Sequence, residues 1–165
     1  MQEPTNIKQF KLAFTFGRFN LLHRGHIDLF KNMANCYDRI LIGVSTGPKN
    51  LNYASRRKVV RQALSEDPDF TSDYEIISSR SPFGVLDSVD EDARNTVIYL
   101  GQDQFELGQT LTKGFGCSSV CIPRLTSSST IRYLIDTEQW SLLAREVPQT
   151  IINEVIFLRQ QELNA

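Results

Sequence analysis

At 165 residues the chain is long enough for one domain with a sizeable core. Apolar residues make up 41% and charged residues 22%, with a formal net charge of −1. That balance lacks the basic excess of nucleic-acid-binding domains, and no apolar run approaches the roughly 20 residues of a membrane span.

The first ten residues, MQEPTNIKQF, lack the charged, apolar and small-residue zones of a signal peptide. We expect a cytoplasmic protein. "KLAFTF" (Lys11–Phe16) and "RILIGVS" (Arg39–Ser45) read as buried strands, being short runs of large and β-branched apolar residues. Between them, Ile27, Phe30, Met33 and Ala34 recur at helical spacing. "GPKNLNYAS" (Gly47–Ser55) is rich in turn residues and reads as a loop. "SRRKVVRQALSE" follows as an amphipathic helix with Val59, Val60, Ala63 and Leu64 on one side.

"YEIIS" (Tyr74–Ser78), "TVIYLG" (Thr96–Gly101) and "SSVCIP" (Ser118–Pro123) are three further strands, with helical stretches expected around Val85–Ala93 and Gln104–Leu111. From Ser129 to about Leu163 the pattern is helical, punctuated by Pro148. Cys36, Cys117 and Cys121 are odd in number and loosely spaced, so they read as buried free thiols rather than as a disulfide framework or a zinc site. Strands alternating with helices predict an α/β domain over residues 1–165. It should be a Rossmann-like, doubly wound sheet, mostly parallel and five-stranded, with a helical C-terminal part.

Both histidines of the chain, His23 and His26, fall just past the first strand, in "FTFGRFNLLHRGHIDLF". In open parallel sheets ligands sit beyond the carboxyl ends of the strands. Gly17 ends the strand and Gly25 sits in the expected first helical turn. A helix start offers free N–H groups and partial positive charge, which suits phosphate. Imidazoles there can donate to phosphate oxygens, and Arg18 and Arg24 add permanent charge. The same spacing would also suit a helix cap plus a surface residue, or a pair of metal ligands.

The second cluster follows the fifth strand. "RLTSSSTIRYLI" places five hydroxyls, Thr126 to Thr130, before a helix carrying Ile131, Leu134 and Ile135. One hydroxyl suffices for a cap. A row of them with free N–H groups makes a nest for β- and γ-phosphate oxygens, and Arg132 lies one turn beyond Ser128 and Ser129. The bland alternative is an over-polar cap.

"GRFNLLHRGH" resembles the G-R/T-F-x-P/L-x-H-x-G-H signature of the nucleotidylyltransferase superfamily, and "TSSSTIR" resembles its I-S-S-T-x-I-R motif. Three stretches resemble the short, archaeal-type nicotinamide mononucleotide adenylyltransferases: the "GRF" opening, "SRRKVVRQAL" with Arg56 on the family arginine, and the ending with Trp140, Val147 and Pro148. "YLGQDQF" resembles the family's strand-end G-x-D segment. Departures are Ser55, where glutamate is common, and Leu21–Leu22, which look more like glycerol-phosphate cytidylyltransferases. The cytidylyltransferase R-T-x-G-I-S-T motif is only partly echoed by Arg124 and Thr126.

The resemblance implies transfer of AMP from ATP to nicotinamide or nicotinate mononucleotide, releasing pyrophosphate. The alternatives are a CTP-dependent cytidylyltransferase, a phosphopantetheine adenylyltransferase and a non-catalytic nucleotide sensor. It implies catalytic roles for His23, His26 and Arg132, and ATP contacts from Phe16, Gly17, Arg18, Phe19, Gly25, Ser127, Ser128 and Ser129. Acceptor contacts would come from Arg56, Gly101 and Asp103. Magnesium should arrive with ATP, held by phosphate oxygens and water rather than by protein ligands. The expected partners are ATP and a small phosphorylated acceptor, without nucleic acid or membrane, in a homo-oligomer.

Overall fold

The five apolar runs form five strands: β1 (Leu12–Gly17), β2 (Ile40–Ser45), β3 (Tyr74–Ser79), β4 (Thr96–Gly101) and β5 (Ser118–Ile122). The structure is a computed structural model that describes residues 11–46, 53–89, 91–123 and 126–164. All pairings are parallel, in the order β3-β2-β1-β4-β5. The register sets Thr15 beside Ile42 and Leu12 beside Thr96.

Burial follows the order. Central β1, β2 and β4 are buried on nearly every residue, whereas the edge strand β3 is only partly covered. This is why the central strands read as continuous apolar runs rather than as an alternation. Ala13, Ile40, Ile42, Val97 and Tyr99 turn to one face. There they pack with α1 (Arg24–Cys36), α2 (Tyr53–Ser65), α5 (Ser128–Asp136), α6 (Trp140–Glu146) and α7 (Ile152–Leu163). Leu12, Phe14, Leu41, Ile98 and Leu100 turn to the other face, against α3 (Pro82–Asp87) and α4 (Phe105–Phe115). The sheet is therefore doubly wound. Removing a fully buried ring such as Phe14 would cost about 3–5 kcal/mol.

Helix limits follow local signals. In α1, Ile27, Phe30 and Met33 recur on one buried side. The stretch expected to be helical at Val85–Ala93 instead folds as α3 at Pro82–Asp87, followed by a 3-10 turn at Ala93–Asn95. Ser81 caps it by accepting the Gly84 N–H at 3.3 Å, and Pro82 begins the first turn with its preset φ. The helix expected at Gln104–Leu111 runs on to Phe115.

The C-terminal part is three α-helices, with one break more than the expected punctuation at Pro148. It breaks at Thr137–Gln139, where Glu138 has φ of 56°, and again at Val147, held extended by the proline that follows. Of the three free cysteines only Cys117 is buried; Cys36 and Cys121 are partly exposed. In the expected Gly47–Ser55 loop, residues 47–52 lie outside the described residues, as do Arg124 and the first ten residues, while Tyr53–Ser55 already belong to α2. Among the described residues no helix is long and apolar enough to cross a membrane.

Candidate active site

The chain leaves β1 toward β2 and β3, then returns to β4 and β5 on the other side. The winding reverses between β1 and β4, and a crevice opens above their carboxyl ends. A cavity of about 430 Å³ lies there. Its first wall runs from Thr15 to Asn20 and on through His23, Gly25, His26 and Leu29. Gly101, Asp103 and Gln104 form the second, beyond β4, and Ile122, Pro123, Thr126, Ser128 and Arg132 the third, beyond β5.

The first wall is built around an aromatic stack. His23 is the N-cap of α1. Its carbonyl accepts the His26 and Ile27 N–H groups at 3.0 and 3.2 Å, and its own N–H donates to His26 Nδ1 at 3.2 Å. Because Nδ1 accepts, the neutral His26 ring carries its proton on Nε2, a donor suited to an anion. The two rings stack with centroids 3.8 Å apart and planes at 23°, and His23 is 2% exposed. The residue that caps α1 thus also lines the cavity.

Gly25 makes the stack possible, since a Cβ there would lie 2.9 Å from His23 Cε1 and 3.4 Å from Thr126 Cγ2. Phe19 holds the other side. Its ring meets His26 edge-on at 5.2 Å and Phe30 at 5.5 Å. It does so from a left-handed backbone, φ 50°, an uncommon conformation for a bulky residue. Gly17 gives the ring room, because a Cβ there would sit 3.0 Å from Phe19 Cζ.

Two arginines of this region do not face the crevice. Arg24 donates from Nε to the Arg145 carbonyl at 2.6 Å and from Nη2 to that of Ala144 at 3.3 Å, tying the end of α6 to the start of α1. Arg56 lies outside the cavity lining, 1% exposed, and its Nη1 donates to the carbonyls of Arg18 at 2.6 Å and Ser45 at 2.9 Å. Burial pulls its pKa below the ordinary arginine value, partly offset by Tyr53, whose ring lies 5.9 Å away. The geometry makes Arg56 a brace beneath the first wall. Arg18 itself is exposed and lines the cavity.

The hydroxyl run divides its labour. Ser127 caps α5, accepting the Thr130 N–H at 3.2 Å, with the two hydroxyls 3.1 Å apart. Ser128 and Thr126 line the cavity, whereas Ser129 is exposed outside it. Arg132 lines the cavity and pairs with Glu162 of α7, Nη2 to Oε2 at 2.8 Å and Nε to Oε2 at 3.1 Å.

Asn20 Oδ1 in the first wall and Thr126 Oγ1 in the third are buried without a hydrogen-bond partner. Such groups cost stability unless a ligand or water meets them. Asn20, Thr15, Leu29, Gln104, Ile122 and Pro123 escaped the sequence reading as site residues; they converge only in three dimensions and carry no signal of their own. Among the described residues no group of three or more His, Cys, Asp or Glu side chains could hold a metal ion. Among the described residues Asp103 is the sole carboxylate of the lining. The arrangement can hold a chain of phosphates between two helix starts.

Residues 14–147 match the cytidylyltransferase-like family. No curated protein sequence matches the chain. Among solved structures, the fold is similar to that of a chain from Vibrio parahaemolyticus assigned as a nicotinate-nucleotide adenylyltransferase. The TM-score is 0.68 at 17% identity, covering 92% of this chain and 96% of that one. It is also similar to Plasmodium falciparum nicotinic acid mononucleotide adenylyltransferase. In the complex with APC the TM-score is 0.68 at 12% identity, over 89% of this chain and 94% of that one. In the complex with NaAD it is 0.66 at 13%, over 89% and 95%.

Proposed function

The chain belongs to the cytidylyltransferase-like family of nucleotidylyltransferases, and on that premise we propose that it transfers AMP from ATP to nicotinamide or nicotinate mononucleotide, releasing pyrophosphate. One observation carries the reading: two helix starts, those of α1 and α5, face a single cavity, one bearing a stacked histidine pair and the other hydroxyls and an arginine. The names of the similar Vibrio and Plasmodium proteins favour a pyridine mononucleotide as acceptor.

An acceptor phosphate is anionic at neutral pH, so its attack on the α-phosphorus of ATP needs no general base. The work is to hold two anions in line and to stabilise the charge that grows on the leaving pyrophosphate. In this reading His26 donates from Nε2 to the bridging region between the α- and β-phosphates. His23 packs beneath it and fixes its plane. Ser128, the N–H groups at the start of α5 and Arg132 take the β- and γ-phosphates. Arg18 stands at the entrance as a further cation. Gly101 and Asp103, beyond β4, contact the acceptor or the ribose. Arg56 acts from below, by orienting the Arg18 carbonyl and the turn that carries Phe19. Magnesium, entering on the phosphate oxygens, would supply charge neutralisation.

The test is an acceptor panel with ATP and CTP, read by pyrophosphate release. We expect ATP with a pyridine mononucleotide to be preferred by about tenfold or more in kcat/KM, a gap of roughly 1.4 kcal/mol. CTP preference with glycerol phosphate would replace the adenylyl reading by the cytidylyl one. Nucleotide binding without pyrophosphate release from any acceptor would make the protein a sensor on this fold.

A further inference from the structure

We propose that Glu162, on the last helix and 30 residues from Arg132 in sequence, is a positioning residue that presets the Arg132 guanidinium for the terminal phosphates of the nucleotide. The inference rests on the reading that Arg132 holds those phosphates. Its starting point is the edge of the guanidinium that Glu162 takes. Both carboxylate contacts are to Nε and Nη2, at 3.1 and 2.8 Å to Oε2, with Nε also 3.3 Å from Oε1. The fork has five N–H donors in a plane, and a carboxylate on the Nε–Nη2 side leaves the Nη1 side for a second anion.

Arg132 also lines the cavity, so the same side chain meets Glu162 and borders the crevice. Glu162 is itself anchored. Arg159 Nη1 lies 3.8 Å from Glu162 Oε1. Arg159 is in turn clamped to Asp136, with Nε to Oδ1 at 2.9 Å and Nη2 to Oδ2 at 2.6 Å. The four side chains alternate in charge from Asp136 at the end of α5, across Arg159 and Glu162 of α7, and back to Arg132 of α5, so the carboxylate that holds Arg132 belongs to a network that ties the two helices. The pair is also partly sheltered, Arg132 being 31% and Glu162 21% exposed at the side chain. A free arginine must give up rotamer freedom when it closes on a phosphate. One already held along its inner edge gives up less, and the saving appears as affinity.

The opposite reading, in which Glu162 competes with the phosphates, predicts the opposite sign. Calorimetry on the full chain with ATP, pyrophosphate and AMP separates them, using wild type, Glu162→Gln, Arg132→Ala and the double variant. Glu162→Gln keeps the shape of the side chain and removes its charge. It should weaken ATP and pyrophosphate by about three- to tenfold and leave AMP within about twofold, because AMP lacks the β- and γ-phosphates. In the Arg132→Ala background it should have no further effect on ATP, since a positioning residue acts through its partner. Unchanged or tighter ATP binding by Glu162→Gln overturns the proposal, as do equal losses for ATP and AMP. A lowered melting temperature does not rescue either outcome, because the ATP-to-AMP ratio is read within each variant. If Arg132→Ala itself loses ATP and AMP equally, the assignment of Arg132 to the terminal phosphates falls and this inference with it. If Arg132→Ala loses ATP selectively and Glu162→Gln does not, only the role of Glu162 falls.

Discussion

Gly25→Ala should leave the fold standing and damage the chemistry. The new Cβ would lie 2.9 Å from Cε1 and 3.0 Å from Nδ1 of His23, against ordinary contacts beyond 3.4 Å. Relief requires the ring to shift by roughly half an ångström or more. It cannot swing outward, because it is 2% exposed and stacked 3.8 Å from His26. The shift therefore passes to His26, whose Nδ1 is already engaged with the His23 N–H. Helix propensity acts in the other direction, alanine gaining up to about 1 kcal/mol over glycine within a helix. Overlap and propensity should nearly cancel, leaving stability within about 1 kcal/mol of wild type. Positioning is less forgiving: a displacement approaching 1 Å at the reacting centre costs on the order of a hundredfold. We expect kcat/KM to fall by at least about tenfold, roughly 1.4 kcal/mol of transition-state stabilisation. Pyrophosphate release with ATP and nicotinamide mononucleotide, beside a thermal melt, checks both halves. Wild-type turnover would refute the claim that ring placement matters, and a collapsed melting temperature would mean that Gly25 serves folding instead.

His26→Ala should lower kcat by about a hundredfold or more while weakening ATP binding less, measured by steady-state kinetics beside calorimetry. Arg56→Met removes the charged donor to the Arg18 and Ser45 carbonyls; losing two hydrogen bonds to a charged group, at about 1.5–3 kcal/mol each, should lower the melting temperature by roughly ten degrees in a scanning melt. Acid should weaken the fold in a defined window. The hydrogen bond from Arg94 draws the Asp92 carboxyl down to about 2, and that from Arg159 lowers Asp136. Both groups sit below the ordinary aspartate value of about 3.9, so the unfolded chain takes up protons first; their contribution is complete above about pH 4 and fades as the pH falls toward 2. Melts across that range should show the decline, and Asp136→Asn should flatten part of it.

Much of this was legible in the chain. The strand limits were readable to within a residue or so, because central parallel strands must be apolar on both faces. The order of the strands was not, since alternation of strand and helix is silent on where the chain reverses. The short helix at Pro82–Asp87 was expected too far along the chain, around Val85–Ala93, because its apolar spacing is too brief to set its limits, although Ser81 and Pro82 carried the start signal. His23, His26, Gly17 and Gly25 could be grouped early because they are close in sequence. Arg56 stood out as a family position, but not that it would be buried as a brace. Arg132 reads from sequence as an exposed arginine whose loss leaves stability untouched. Its pairing with Glu162 makes a cost on the order of 1 kcal/mol the better expectation.

The brace beneath the first wall bears on how the molecule comes together. One nitrogen of Arg56, a residue of α2, holds the carbonyl at the end of β2 and the carbonyl just past the end of β1. Neither strand end owns the atom that fixes it. Until α2 has docked, the turn from Gly17 to Asn20 lacks its anchor and the histidines have no defined platform. The completed crevice therefore depends on α2 being in place on that face of the sheet. In hydrogen-exchange terms, amides lining the first wall should open together with those of α2 rather than by independent fraying. Molecules competent for chemistry and molecules with α2 in place would then be one population.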